Sequence, residues 1–180
     1  FKQKTAYEIY QCDWSSYVCS SDLNMADANA RVSAGLGVAV TSTGTAAGNA
    51  CGALVEAYTA CTPLLHLTGQ IELPYLDRDL GYIHEAHDQP TMMRAVSKAA
   101  FRVWSPESAL GVLREAVRTA MTAPMGPVSV EIPIDVQSAL IDLPGDLSPL
   151  PVLASPPDAQ ALDRLAERLS RARRPLLWVG

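Results

Sequence analysis

Residues 37–58 read GVAVTSTGTAAGNACGALVEAY, and the reading of this stretch decides the fold. Residues 37–43 are a short β-branched run closing in small polar residues, the pattern of a buried strand. Residues 46–60 are rich in alanine and carry Ala50, Leu54, Ala57 and Cys61 at helical spacing, which predicts a helix. Between them lies TSTGTAAGN, residues 41–49, a turn that leaves a strand and opens a helix. In an open parallel sheet, ligands bind beyond the carboxyl ends of strands. Small side chains there let a flat ring or a phosphate approach the backbone, and helix amides favour anions. The same residues also suit a tight strand–helix turn packed against a neighbour, so both readings stand at this point. The turn lacks a Lys-Ser/Thr ending and is not a phosphate loop of the NTPase type.

The alternation continues downstream. Residues 63–68 (PLLHLT) predict a second strand, stopped by Gly69. Residues 71–90 form a longer irregular segment with Pro74, Gly81 and Pro90, followed by a short helix over 91–96 and a strand over 99–103. Ser105-Pro106-Glu107 is a helix start: a capping hydroxyl, proline at the first helical position and an acid in the first turn. That helix is expected to reach about Ala123, with Ala109, Leu113, Ala116, Val117, Ala120 and Met121 on one face, before Gly126-Pro127 breaks it. Val128, Val130, Ile132 and Ile134 then alternate with Ser129, Glu131 and Pro133, a strand signal. Strands alternating with helices predict an α/β fold: a doubly wound, mostly parallel sheet with helices on both faces. Residues 138–157 hold five prolines and no period, and read as a linker. Asp158 can cap a further helix with Leu162, Leu165 and Leu169 on its apolar face, and residues 175–180 (PLLWVG) read as the start of a strand. This last part is expected to be the start of a second α/β domain, cut short at the C-terminus.

Composition sets the outer limits. The 180 residues are 48% hydrophobic and 18% charged, with a net charge of −5, so there is no basic stripe for nucleic acid. No apolar run approaches the roughly 20 residues of a membrane span. Four cysteines without a CxxC pair do not make a disulfide framework, and the expectation is a soluble, cytoplasmic protein. HEAHD, residues 84–88, puts two histidines and two acids in five positions, but its spacing is not that of HExxH, and a solvated loop is the simpler reading. His66, inside an apolar run, is expected to be a hydrogen-bonded core histidine. Cys51 and Cys61 are expected to be buried, inert thiols. No GxSxG occurs.

Residues 1–23, FKQKTAYEIYQCDWSSYVCSSDL, break the pattern. They hold five of the eleven aromatics and two of the four cysteines, with neither helix nor strand periodicity. Residues 13–23 resemble a translated sequencing adapter, departing from it at Tyr17, and residues 1–9 resemble the translated companion primer. The segment is therefore expected to be non-native, to pack loosely, and to lend Cys12, Trp14 and Cys19 no functional weight.

TSTGTAAGNACGALVEAY, PLLHLTGQ, SKAAFRV and APMGPVSVEIPIDVQ, in this order, resemble the N-terminal pyrimidine-binding domain of thiamine-diphosphate-dependent enzymes. The acetolactate synthase, pyruvate oxidase and benzoylformate decarboxylase group is the nearest within that family. The resemblance covers residues 24–137 as a partial domain, incomplete at its N-terminus, with 158–180 similar to the first helix and strand of the group's central domain. It implies thiamine diphosphate as cofactor, with Mg2+ bound through a pyrophosphate domain that this chain lacks; some relatives also carry FAD. It implies a small 2-oxo acid or related carbonyl as substrate, decarboxylated or carboligated with the cofactor as electron sink. It further implies a homodimer or homotetramer for the intact parent, with the cofactor between subunits.

The resemblance also implies site residues. The family turn that meets the pyrimidine falls on residues 43–49, which makes Thr43, Gly44, Thr45 and Asn49 the cofactor-binding candidates. Gly44 and Asn49 match it, while Thr45 and Ala46 replace a proline and a glycine. Gln70 and His84 are candidates for the substrate chamber. The family's catalytic glutamate falls at about Cys19, so no catalytic residue is assigned and this chain alone is expected to be inactive. The alternative is a non-catalytic paralogue, or a doubly wound binding module that keeps the turn for another ligand.

Overall fold

The computed structural model describes residues 15–178, apart from 153 and 155. The expectations for Cys12, Trp14 and the rest of residues 1–14 lie outside the described residues. The elements are α1 (Ser15–Ser33), β1 (Gly37–Thr41), α2 (Thr45–Thr59), β2 (Leu64–Gln70), a single 3-10 turn (Leu73–Tyr75), α3 (Gln89–Val96), β3 (Ala99–Arg102), α4 (Pro106–Met121), β4 (Pro127–Pro133), α5 (Ile134–Gln137) and α6 (Ala159–Arg171). The four strands form one sheet in the order β1-β2-β4-β3, and every pairing is parallel.

The period of two along the strands divides the core into two layers. Leu64 packs with Leu23 and Ala26 of α1, Met93 of α3, and a stripe of α2 formed by Ala47, Ala50, Ala53, Leu54 and Ala57. Leu65, Val128 and Val130 point the other way and pack with Ala116 and Ala120 of α4. Helices thus cover both faces, as the alternation of elements predicts. Alanine on α2 lets helix and sheet approach closely, and Gly37 does the same under α1. A Cβ at Gly37 would lie 2.3 Å from the Ala26 carbonyl oxygen.

Several boundaries differ from the sequence reading, each for a physical reason. Helix α1 was not anticipated. It runs unbroken from Ser15 to Ser33, across the change of composition at residues 23 and 24, and Leu23 is fully buried. Its apolar signal is Leu23, Ala26 and Ala30, one narrow stripe of mostly small residues. Gly69 does not stop β2, which continues to Gln70 because Gly69 pairs with Ile132 and Gln70 with Pro133. The alternation along β4 does not divide core from solvent, since Ser129 and Glu131 are as buried as Val128 and Val130. β4 lies inside the sheet with helices over both faces, where polar side chains must find partners.

Cys61 is exposed rather than buried and Cys51 is half-buried. Cys61 sits past the end of α2 with a φ of 53°. Helix α4 ends at Met121, and its start is as read: Ser105 caps Ser108 N–H, with the Ser108 side chain returning the bond. Residues 175–178 form no strand, there being no neighbour to pair with among the described residues. Strand β1 lies at an edge of the sheet, with Val38 53% and Val40 65% exposed on the face opposite α2.

Leu23 ties α1 to the core. Leu23→Ala is expected to cost about 3 kcal/mol by cavity formation, read as a lowered urea midpoint at constant slope. An unchanged midpoint would mean that α1 does not contribute to the folded unit.

Candidate functional site

Beyond the carboxyl end of β1 the chain turns through Ser42, Thr43 and Gly44 into α2. Gly44 is the N-cap, with φ 56° and ψ −99°, and no side chain caps the helix. The left-handed φ favours glycine, and so does crowding: a Cβ here would sit 1.7 Å from the His84 carbonyl oxygen. His84 itself holds a φ of 62° to bring its carbonyl over the turn, and its Nδ1 lies 3.3 Å from Thr45 Oγ1. The space that glycine opens at position 44 is therefore filled by the protein's own backbone. At this position the packed-turn reading holds.

Behind the turn lies a buried polar network. Glu131 Oε1 accepts from Gln70 Nε2 at 2.5 Å and from Gln89 Nε2 at 2.9 Å, while Oε2 accepts from Arg102 Nε. Arg102 also donates to Asp77 at 2.7 Å and lies 5.0 Å over the Trp104 ring. The two glutamines carry the network to the turn. Gln89 Oε1 accepts from Gly44 N–H at 2.7 Å, and Gln70 Oε1 accepts from Thr43 Oγ1 at 3.1 Å and from Ile71 N–H at 2.8 Å. Gln89 Nε2 also donates to the Gly69 carbonyl at 3.0 Å. Burial pushes the Glu131 carboxyl above its ordinary range, and Arg102 and Gln70 pull against it. The pair is nearly dry, with Glu131 3% and Arg102 8% exposed in their side chains. Such a pair is costly to break, because the surviving charge is left unpaired.

On the β1 side of the turn, a cavity of about 350 Å3 opens over the carboxyl ends of β1, β2 and β4. Its walls are Val40, Leu67, Ile132 and Ile134, with Thr43, Gln70 and Gln137 as polar groups. Among the described residues, no charged side chain lines it.

The structure brings Thr43, Gly44, Thr45 and His84 together at one turn and joins Thr43 to Gln70 through a hydrogen bond. Thr43 and Gln70 face the cavity. Thr45 and His84 pair on the exposed side. Asn49 lies one turn into α2, half-buried, with no side-chain hydrogen bond among the described residues. Both polar ends of Gln70 are taken up by Glu131, Thr43 and Ile71. Gln89, Glu131 and Arg102 were not singled out from the sequence. The available signal was one acid and one base in neighbouring apolar strands, SVEIP and AAFRV. In the HEAHD segment, Asp88 caps α3 by accepting from Thr91 N–H, and His87 Nδ1 lies 2.8 Å from Asp79. Among the described residues, no group of three or more His, Cys, Asp or Glu side chains could hold a metal ion.

One row further from the carboxyl ends, His66 bridges the sheet. Its Nε2 lies 2.8 Å from Thr41 Oγ1 and its Nδ1 3.1 Å from Ser129 Oγ, which in turn meets Ser97 Oγ at 2.9 Å. It is the hydrogen-bonded core histidine expected from its setting. Burial lowers the imidazole to about 4.

Residues 21–92 match the model of the family described as "Thiamine pyrophosphate enzyme, N-terminal TPP binding domain". Acetolactate synthase 1, chloroplastic, of Oryza sativa subsp. japonica is 30% identical over 159 residues, covering 84% of this chain and 24% of that protein. "Probable 2-ketoarginine decarboxylase AruI" of Pseudomonas aeruginosa is 32% identical over 158 residues, covering 87% of this chain and 28% of that protein. The chain thus spans about a quarter of the length of these curated relatives, 24% and 28%. The thiamine diphosphate-dependent 4-hydroxybenzoylformate decarboxylase of Rhodococcus jostii RHA1 shares the fold at a TM-score of 0.74 and 23% identity, covering 90% of this chain and 30% of that one.

Gly44→Ala meets both a left-handed backbone and the His84 carbonyl, and is expected to cost about 3 kcal/mol or more in urea unfolding. A loss below about 1 kcal/mol would show that the loop at His84 yields freely. For His66, the fold holds the neutral form, while the unfolded chain takes up a proton near the ordinary value of about 6.5. Its contribution is whole above about pH 6.5 and is lost as pH falls toward 4, on the order of 3 kcal/mol in all. Replacing His66 with Gln is expected to remove this part of the acid slope in unfolding midpoints measured across that window. An unchanged slope would place the acid sensitivity elsewhere.

Proposed function

We propose, for a chain that belongs through residues 21–92 to the N-terminal TPP-binding domain family of the thiamine pyrophosphate enzymes, that its cavity holds the aminopyrimidine half of thiamine diphosphate. The observation that carries this reading is the lining of the cavity. Val40, Leu67, Ile132 and Ile134 suit the faces and methyl group of a flat neutral ring, and Thr43 offers it a polar edge. Among the described residues the lining has no cation for a diphosphate, so that half and its Mg2+ are assigned to a pyrophosphate domain elsewhere in the parent protein.

When bound, the cofactor supplies an electron sink for a carbanion formed from a 2-oxo acid or related carbonyl, the substrate class proposed for the parent enzyme. This chain's residues bind and orient. Gly44 and Gln89 fix the turn, Thr43 presents its hydroxyl, and the valine, leucine and isoleucine walls offer the ring apolar contact. Glu131 is engaged on both oxygens by Arg102 and the two glutamines and is not free for proton transfer. Glu85 does not line the cavity and accepts from Tyr82 N–H. We assign the acid–base group toward the ring to neither of them. Thr45, Asn49 and His84 do not line this cavity; on this reading Thr45 and Asn49 meet the cofactor from the helix side of the turn and His84 is the candidate contact for substrate. The parent is proposed to be a homodimeric or homotetrameric cytoplasmic enzyme. That placement agrees with the described helices, none of which is long and apolar enough to cross a membrane.

The test is a titration of the protein with thiamine diphosphate and MgCl2, followed by amide NMR. Shifts are expected at Thr43, Gly44 and Gln70, with a raised thermal midpoint. Binding that leaves these three amides unmoved would favour a doubly wound module that uses the turn for another ligand.

A further inference from the structure

A second cavity, of about 490 Å3, opens between the segment before α3 and the edge strand β3. It shares no lining residue with the first. Its charged lining is of both signs, with Asp77, Asp79 and Asp88 beside Arg94 and Arg102. The protein engages these groups only in part. Asp77 accepts from Arg102 through Oδ2, and Asp79 meets His87 through Oδ1. Asp77 Oδ1 and Asp79 Oδ2 make no hydrogen bond among the described residues. Arg102 gives Nε to Glu131 and Nη1 to Asp77, which leaves Nη2 without a partner among the described residues, on a side chain only 8% exposed. Arg94 spends one Nη2 bond on Thr91. The rest of the wall is flat and apolar, with Pro90, Phe101 and an exposed Trp104 ring that Arg102 overlies. A ligand with only negative charge would meet the carboxylates here, and one with only positive charge would meet the guanidiniums. A ligand carrying both charges satisfies both sets at once.

We propose that this second cavity binds a zwitterionic α-amino acid with an aromatic side chain. The ligand carboxylate pairs with Arg94 and with the open Nη2 of Arg102, a guanidinium already held in place by Glu131 and Asp77. The ligand ammonium meets the aspartate oxygens, and its ring lies against Phe101, Pro90 and Trp104. The proposal is independent of the cofactor reading, because the two cavities have separate walls.

NMR titration of the whole chain with a deletion series of probes tests it. The probes are L-phenylalanine, 3-phenylpropanoate, which lacks the ammonium, and 2-phenylethylamine, which lacks the carboxylate. L-phenylalanine is expected to shift the amides of Phe101, Arg102 and Trp104, and to bind about tenfold more tightly than either single-charge probe. Arg94→Gln is expected to weaken L-phenylalanine and 3-phenylpropanoate about tenfold without weakening 2-phenylethylamine. The double variant Asp79→Asn with Asp88→Asn removes charge while asparagine still tolerates the left-handed backbone at 79 and still caps α3 at 88. It is expected to weaken L-phenylalanine and 2-phenylethylamine by a similar factor without weakening 3-phenylpropanoate. Circular dichroism establishes that both variants are folded. A single-charge probe that binds as tightly as L-phenylalanine would overturn the zwitterion assignment, as would variants that weaken both single-charge probes alike. Shifts that fall outside the second cavity, or no binding by the folded protein, would overturn the site itself.

Discussion

The carboxylate of Glu131 is the constraint around which the site is arranged. It is a charge on an interior strand with helices over both faces, and each of its oxygens must be met by a donor inside the protein. Arg102, its register neighbour on β3, supplies one. The two glutamines supply the others and in doing so lose their freedom to flip. Thus Glu131, which does not line the cavity itself, fixes the two amides that meet the turn between β1 and α2. The network ties the ends of β1, β2, β3 and β4 to the start of α3 at the left-handed turn of Gly44.

Most of the fold was legible because it rests on local signals. The β-branched run before the small-residue turn, the alanine stripe of α2 and the Ser105-Pro106 start of α4 each depend on a few neighbouring residues. Two features were not legible. Helix α1 packs through Leu23, Ala26 and Ala30, and alanine contributes little to a periodic signal against the composition of residues 1–23. β4 was misread in a different way. Its alternation of valine with serine and glutamate looks like a strand with one wet face, and only its place between β2 and β3 shows that both faces are dry.

The site was half legible. Thr43, Gly44, Thr45, Gln70 and His84 do meet around one turn, yet their roles divide in ways the sequence does not show. Gly44 is small to admit His84, which spends the turn's open space on internal packing. Gln89 looks like an ordinary helix-start residue in sequence and is fully buried. Its importance comes from contacts with residues more than forty positions away on either side, Gly44 at 45 and Glu131 at 42.

Strand β1 carries one more consequence. It borders β2 on one side and no other strand among the described residues on the other, and two large aliphatic side chains project from it into water. Unpaired backbone groups beside exposed valines form a template for any extended chain, including misfolded copies of the same one. That strip is five residues long, Gly37–Thr41. Lysine at position 38 would act there as a gatekeeper against sticky pairing, without reaching the buried network on the opposite face.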